Sequence, residues 1–206
     1  MAVPPFPGGQ RVLLIACGAL AREVLAPLRG NGWSHVDVQC LPAELHNRPE
    51  RIPEAVRGKI RAARGLYENI LVVYGDCGTS GALDALLAEE GVERIAGPHC
   101  YAFYAGQADF EACQEEEPGT FYLTDFLVRH FQRLVIQGLG LDRHPDLLPL
   151  YFGNYSRLVY LAQTDDPALR GRAMAAADRL NLKFECRTTG LGELGAFVAS
   201  AARRVA

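Results

Sequence analysis

Apolar and polar positions along the chain alternate between two rhythms. Arg11–Ala16 and Asn69–Tyr74 are nearly unbroken apolar runs, each closing on small residues, Cys17-Gly18 and Gly75-Asp76-Cys77-Gly78. Short apolar runs bounded by turns predict strands covered on both faces, as in a parallel sheet. Between them, Ala19–Arg29 carries Leu20, Val24, Leu25 and Leu28 at helical spacing, and Gly30-Asn31-Gly32 stops it. His35–Gln39 alternates like a strand and ends at Cys40-Leu41-Pro42, and Pro49–Arg64 places Ile52, Val56 and Ile60 along one helical face. Thr79 or Ser80 caps a helix that Gly91 ends, and Val92–Ala96 is a short fourth strand closing on Gly97-Pro98-His99-Cys100.

The second half is less regular. Phe103–Glu116 and Thr124–Leu139 read as helices around a Pro118-Gly119 turn, followed by a loop-rich stretch from Leu141 to Asn154. A strand at Arg157–Gln163, a helix at Pro167–Leu180, a strand at Lys183–Arg187 and a terminal helix from Leu191 complete the order. Strands alternating with helices predict βαβ units. The expected fold is α/β: an open, mostly parallel, doubly wound sheet of about six strands with helices on both faces. It is expected as a single domain over residues 1–206, with 1–10 a flexible N-terminal extension.

Composition narrows the function classes. The net charge is −3 and the basic residues are scattered, so no nucleic-acid footprint is expected. No apolar run approaches the roughly 20 residues needed to span a bilayer, and the N-terminus lacks a signal-peptide pattern. A cytoplasmic, reducing setting is therefore expected, in which the six cysteines are not disulfide partners.

Four of those cysteines, Cys17, Cys40, Cys77 and Cys100, come just after the four expected strands, Cys17 and Cys40 at once and Cys77 and Cys100 within four residues, in two pairs each 23 residues apart. In a parallel sheet these positions share the edge where open α/β folds bind ligands. Cys113 and Cys186 fall inside elements and read as small buried hydrophobes. Cys17 and Cys77 each precede a helix, whose free N–H groups are expected to lower a thiol pKa. With Cys100, and Cys40 or His99 in support, they form a candidate ligand set for Zn2+ or a [4Fe–4S] cluster. His46, in the second loop, is a further imidazole. Gly75, Gly78, Thr79 and Ser80 belong to a small-residue loop whose N–H groups suit an anion, although it has neither a Walker lysine nor G-x-G-x-x-G spacing. Asp76 is a candidate general base or a helix cap, and Glu23 a candidate cleft carboxylate or a solvated one.

The stretches IACGALARE (Ile15–Glu23), CLPAELHNRPERI (Cys40–Ile52), YGDCGTSG (Tyr74–Gly81), GPHCYAFYAG (Gly97–Gly106) and TFYLTDFLVRHF (Thr120–Phe131) resemble the bacterial and archaeal family called domain of unknown function 1638, as does Tyr151–Asp166. The resemblance implies a genomic setting beside corrinoid proteins and their methyltransferases. The expected function is thus a metal-thiolate enzyme of methyl-group or sulfur metabolism acting on a small molecule such as a thiol or methyl donor. A non-catalytic metal carrier or corrinoid-protein accessory, and a metal-free binder of small anions, are the alternatives.

Overall fold

The computed structural model of the protein describes residues 11–204. The extension expected at 1–10 lies outside the described residues. In chain order the strands are β1 (Val12–Cys17), β2 (Val36–Leu41), β3 (Asn69–Val73), β4 (Glu93–Arg94), β5 (Thr120–Thr124), β6 (Arg157–Ala162) and β7 (Lys183–Thr188). The helices are α1 (Ala21–Gly30), α2 (Ile52–Ala63), α3 (Ala82–Glu90), α4 (Cys100–Ala105), α5 (Gln107–Glu116), α6 (Asp125–Phe131), α7 (Leu148–Phe152), α8 (Pro167–Leu180) and α9 (Gly192–Arg203). The described residues divide into two compact units, 11–100 with 193–204, and 101–192. No helix among them is long and apolar enough to cross a membrane.

The first unit is built on β1. Its first five residues, Val12 to Ala16, are fully buried, as the unbroken apolar run requires. It pairs in parallel with β2 on one side, Leu14 against Val38, and with β3 on the other, Leu14 against Leu71. With β4 the order is β2-β1-β3-β4. The expected helical face of α2 is real: Ile52, Val56 and Ile60 are all fully buried, and α9 adds Leu194 and Val198 to this core.

The single sheet of about six strands is corrected to two parallel sheets, of four and three strands, the second in the order β5-β6-β7. Two local features account for the difference. The fourth strand is only two residues long, and the chain leaves it through Gly97-Pro98 into α4, so the first sheet ends there. The second sheet begins with β5, which fills the gap left between the expected Pro118-Gly119 turn and the helix expected from Thr124. The helix expected over Thr124–Leu139 also widens: α6 gives way to a π-helical turn at Gln132–Gln137. Gly138 follows that turn, and a side chain there would meet the Leu134 carbonyl oxygen at 2.2 Å.

The second unit's core carries one buried charge. Asp125 is fully buried directly after β5. Its carboxylate accepts hydrogen bonds from Tyr160 Oη at 2.7 Å, the Gln163 amide at 3.0 Å and Thr164 Oγ1 at 2.5 Å, and faces Arg129 at 3.7 Å. Its own N–H donates to Gln163 Oε1 at 2.7 Å, so the turns after β5 and β6 are tied together through one residue. Removing one partner of such a network strands the others in a dry core. Asp125→Ala is therefore expected to lower stability by about 3 kcal/mol or more in urea unfolding. A loss below about 1 kcal/mol would show that the network is not what holds these turns.

Candidate functional site

In the order β2-β1-β3-β4 the chain moves outward from β1 to β2, then returns past β1 to place β3 on its other side. The direction of connection reverses between β1 and β3, and open parallel sheets bind ligands outside the strand C-termini at such a point. Cys17 is the last residue of β1, and Gly75–Gly81 is the loop after β3.

That rim is closely fitted. A side chain on Gly18 would meet the Leu41 carbonyl oxygen at 3.0 Å, and one on Gly75 would meet the backbone of Pro98 and His99 at 3.0 Å. The loops after β3 and β4 are joined by Asp76 N–H to Gly97 O at 3.2 Å and Cys77 N–H to Pro98 O at 2.8 Å. Arg94 secures them from behind: it pairs with both Asp84 oxygens, at 2.6 and 2.8 Å, and donates through Nη1 to Ile95 O and Gly97 O. Sequence reading missed Arg94. The sequence Val92-Glu93-Arg94-Ile95-Ala96 gave no sign of this role, because a second charged residue stands beside it and Asp84 is ten residues away.

Cys17 is buried, and its Sγ accepts from the Ala19 N–H at 3.3 Å. His46 Nδ1 lies 3.8 Å from that sulfur and 3.1 Å from the Ala43 carbonyl oxygen. The His46 ring stacks on Tyr74, with centroids 6.1 Å apart and planes 15° from parallel. Tyr74 is fully buried; its hydroxyl lies near enough to favour a Cys17 thiolate, yet meets no partner at hydrogen-bonding geometry. Cys77 is also buried, in the left-handed conformation with φ at 49°, within electrostatic reach of Cys17. A non-glycine residue held there carries strain of the kind found at working sites.

The other two cysteines of the set are placed differently, although Cys40 is within electrostatic reach of Cys17. Cys40 pairs in register with Ala16, one step out of phase with Cys17, so it points to the opposite face of the sheet and is exposed. Cys100 is half-buried at the start of α4, and His99 precedes it. Glu23 is buried in the first turn of α1. Among the described residues no three His, Cys, Asp or Glu side chains stand close enough together to hold a metal ion.

Electrostatics in this rim favour neutral groups. Burial pushes the Cys17 thiol up to about 11 against the opposing pull of the Ala19 N–H, and pushes Cys77 up to about 12, with Cys17 adding to the rise. The lowering expected from helix N–H donors is present at Cys17 but is outweighed by desolvation. Burial likewise drives the Tyr74 phenol up, and partial desolvation lowers the imidazoles of His46 and His99, both of which remain exposed to solvent.

The small-residue loop holds an anion of its own. The Asp76 carboxylate accepts from Thr79 Oγ1 at 2.7 Å, Gly81 N–H at 2.8 Å and Ser80 N–H at 3.1 Å. The N–H groups that suited a phosphate thus go to a side chain of the same loop.

The chain matches the model of the family described as Protein of unknown function (DUF1638) over residues 40–198, which is most of its length. It belongs to the DUF1638 family. No curated protein and no solved structure matches it. The stretch matched to DUF1638 holds Tyr74, Asp76, Cys77 and His99 and starts after Cys17 and Glu23.

Partial burial raises the Asp76 carboxyl, but its donors outweigh that and hold it below its ordinary value of 3.8. A carboxyl depressed on folding stabilises the protein above its unfolded pKa and loses that contribution as pH falls through the folded pKa. Asp76→Asn is therefore expected to cost about 1 kcal/mol at pH 7, the usual scale of a lost cap. The gap from wild type should close as pH drops below 3.8. Denaturant midpoints measured from pH 7 to pH 2 check this, and a gap that widens in acid would refute it.

Proposed function

We propose that the rim between β1 and β3 binds a small uncharged molecule and that Cys17 is the group that reacts with it. The supporting observation is the buried Tyr74 hydroxyl, left without a hydrogen-bond partner beside a buried thiol at the sheet's switch point. A buried polar atom that the protein itself leaves unsatisfied is a place where a ligand gains a hydrogen bond.

The donors and acceptors set the chemistry. The Ala43 carbonyl only accepts, so the hydrogen bond from His46 needs its proton on Nδ1. In that tautomer the imidazole faces Cys17 as a donor: it stabilises a thiolate and does not create one. Cys17 therefore rests as a thiol; with a bound thioether the balanced step forms a Cys17 sulfur–alkyl bond as the thioether's carbon–sulfur bond breaks, and the Cys17 proton leaves on the released thiol. Negative charge developing on the Cys17 sulfur faces His46 and the Tyr74 hydroxyl. Because burial holds Cys77 and Tyr74 neutral, and Asp76 is filled by its own loop, an uncharged ligand meets the buried part of this rim without an uncompensated charge. Thiol chemistry on a small molecule fits the methyl-group or sulfur metabolism that the family resemblance implies.

A resident zinc ion or iron–sulfur cluster would need at least a third ligand beside Cys17 and Cys77, and the described side chains do not assemble one. No step proposed here runs through a metal. Protein purified without air or chelators is expected to carry far less than one zinc or iron per chain by elemental analysis. A stoichiometric metal that Cys77→Ser removes would replace this reading with a metal-thiolate one.

The ligand class is checked by thermal shift with a panel of uncharged thiols and thioethers beside their carboxylate counterparts. A ligand at a hundred times its Kd adds about 2.7 kcal/mol, or roughly 5–10 °C for a chain of this size. The shift is expected from an uncharged member and is expected to vanish in Cys17→Ser and Tyr74→Phe. Equal shifts from the carboxylates, or shifts that survive in both variants, would sink the proposal.

A further inference from the structure

The second unit carries a groove on its α6 and α8 faces. It has a volume of about 400 Å3 and is lined by Arg129, Arg133, Arg172, Arg179, His130 and Gln132, among others, with no acidic side chain in its lining. Spacing assembles it. Arg129 and Arg133 are four residues apart, across the junction of α6 with its π-helical turn, and Arg172 and Arg179 are seven apart on α8. Both intervals return a helix to nearly the same face. The whole chain is net negative, and Arg172 and Arg179 bring positive charge to this groove while bonding, among the described residues, only to neutral acceptors.

Two observations separate this groove from an ordinary solvated face. Arg129 is positioned by the buried Asp125, whose carboxylate is itself fixed by Tyr160, Gln163 and Thr164. Its place in the groove is therefore set by the core of the unit. Arg172 and Arg179 are exposed and, among the described residues, bond only to neutral acceptors. Arg172 donates through Nη2 to the Val128 and Arg129 carbonyls at 3.3 and 3.1 Å, and Arg179 through Nη1 to Gln132 Oε1 at 3.0 Å. Each keeps its positive charge and the rest of its planar set of donors. The π-helical turn Gln132–Gln137 on the groove's wall is a further mark, since such turns are found often at working sites.

We propose that this groove binds a small phosphate-bearing molecule carrying at least two negative charges, held by Arg172 and Arg179 together with Arg129 and Arg133. The guanidinium fork matches phosphate oxygens two at a time, which a lone ammonium does not. A volume of about 400 Å3 is that of a small-ligand site and accommodates a di- or monophosphorylated compound, not a length of polymer. The inference is independent of the Cys17 site, which lies in the other unit.

The test is isothermal titration of the full chain with inorganic pyrophosphate at low ionic strength. Wild type is expected to bind, with affinity falling as salt is added. Arg179→Gln should weaken binding about tenfold, and Arg133→Gln with Arg179→Gln should abolish it, with melting temperatures held near wild type. Arg172 also caps the last turn of α6, so its variant is left out of the comparison. Two variants should leave binding unchanged: Arg170→Gln, exposed on α8 but outside the groove, and Cys17→Ser, at the other site. Wild type that ignores millimolar pyrophosphate, or equal losses in Arg170→Gln and Arg179→Gln, would overturn the proposal. A short oligonucleotide that binds through Arg179 while pyrophosphate does not would overturn it as well, in favour of a polymer.

Discussion

The parallel pairing of β1 on both of its edges is the constraint from which the first unit follows. A strand with neighbours on either side and no exposed face must be apolar throughout, and Val12 to Ala16 are. That same central position makes its C-terminal end the place where the chain's path reverses. Cys17 is held there by register: it is the sixth residue of a strand whose preceding five are locked between β2 and β3. A slip of one residue would exchange the faces of Cys17 and Ala16 and remove the sulfur from beside His46 and Tyr74.

Two opposed effects meet at that sulfur. Backbone N–H groups at the start of the following turn favour a thiolate, while burial favours the thiol. At Cys17 and Cys77 burial prevails, because each sulfur is enclosed by the closely fitted loops that Gly18 and Gly75 allow. The glycines that bring the rim together are thus also the reason its thiols rest neutral. Reactivity at such a site depends on what a bound substrate brings, a proton acceptor included, and not on a thiolate waiting in advance.

Much of this architecture was legible in the sequence, and the parts that were not have local causes. The strands β1 and β3 announced themselves as unbroken apolar runs, and α2 by Ile52, Val56 and Ile60. The four-cysteine pattern points to the C-terminal edge of the first sheet, where β1 ends on Cys17, but sequence spacing alone does not carry the alternation of faces. Cys40 is paired with Ala16 and so faces away from Cys17. The second sheet was obscured because Thr120–Thr124 mixes threonines with aromatics and abuts a helix without an intervening turn. Asp125 and Arg94 were invisible for a common reason: each is a charged residue whose partners, Tyr160 and Gln163 in one case and Asp84 in the other, become neighbours only through the fold. Their hydrogen bonds across the fold are the observation that gives them meaning.

The two aspartates at strand ends show how one device leads to opposite chemistry. Asp76 turns its carboxylate onto the loop that follows it, takes up the N–H groups of Ser80 and Gly81, and so closes a cradle that would otherwise attract an anion. Asp125 turns inward, is filled by Tyr160, Gln163 and Thr164, and lends its remaining attraction to Arg129 on the next turn of helix. A carboxylate satisfied by backbone donors silences an anion site, whereas one satisfied by side chains can hold a cation in position for another ligand. The first unit therefore offers a rim of neutral sulfur, phenol and imidazole, and the second a groove of surplus positive charge. Ligands of unlike chemistry, one uncharged and one phosphorylated, suit the two.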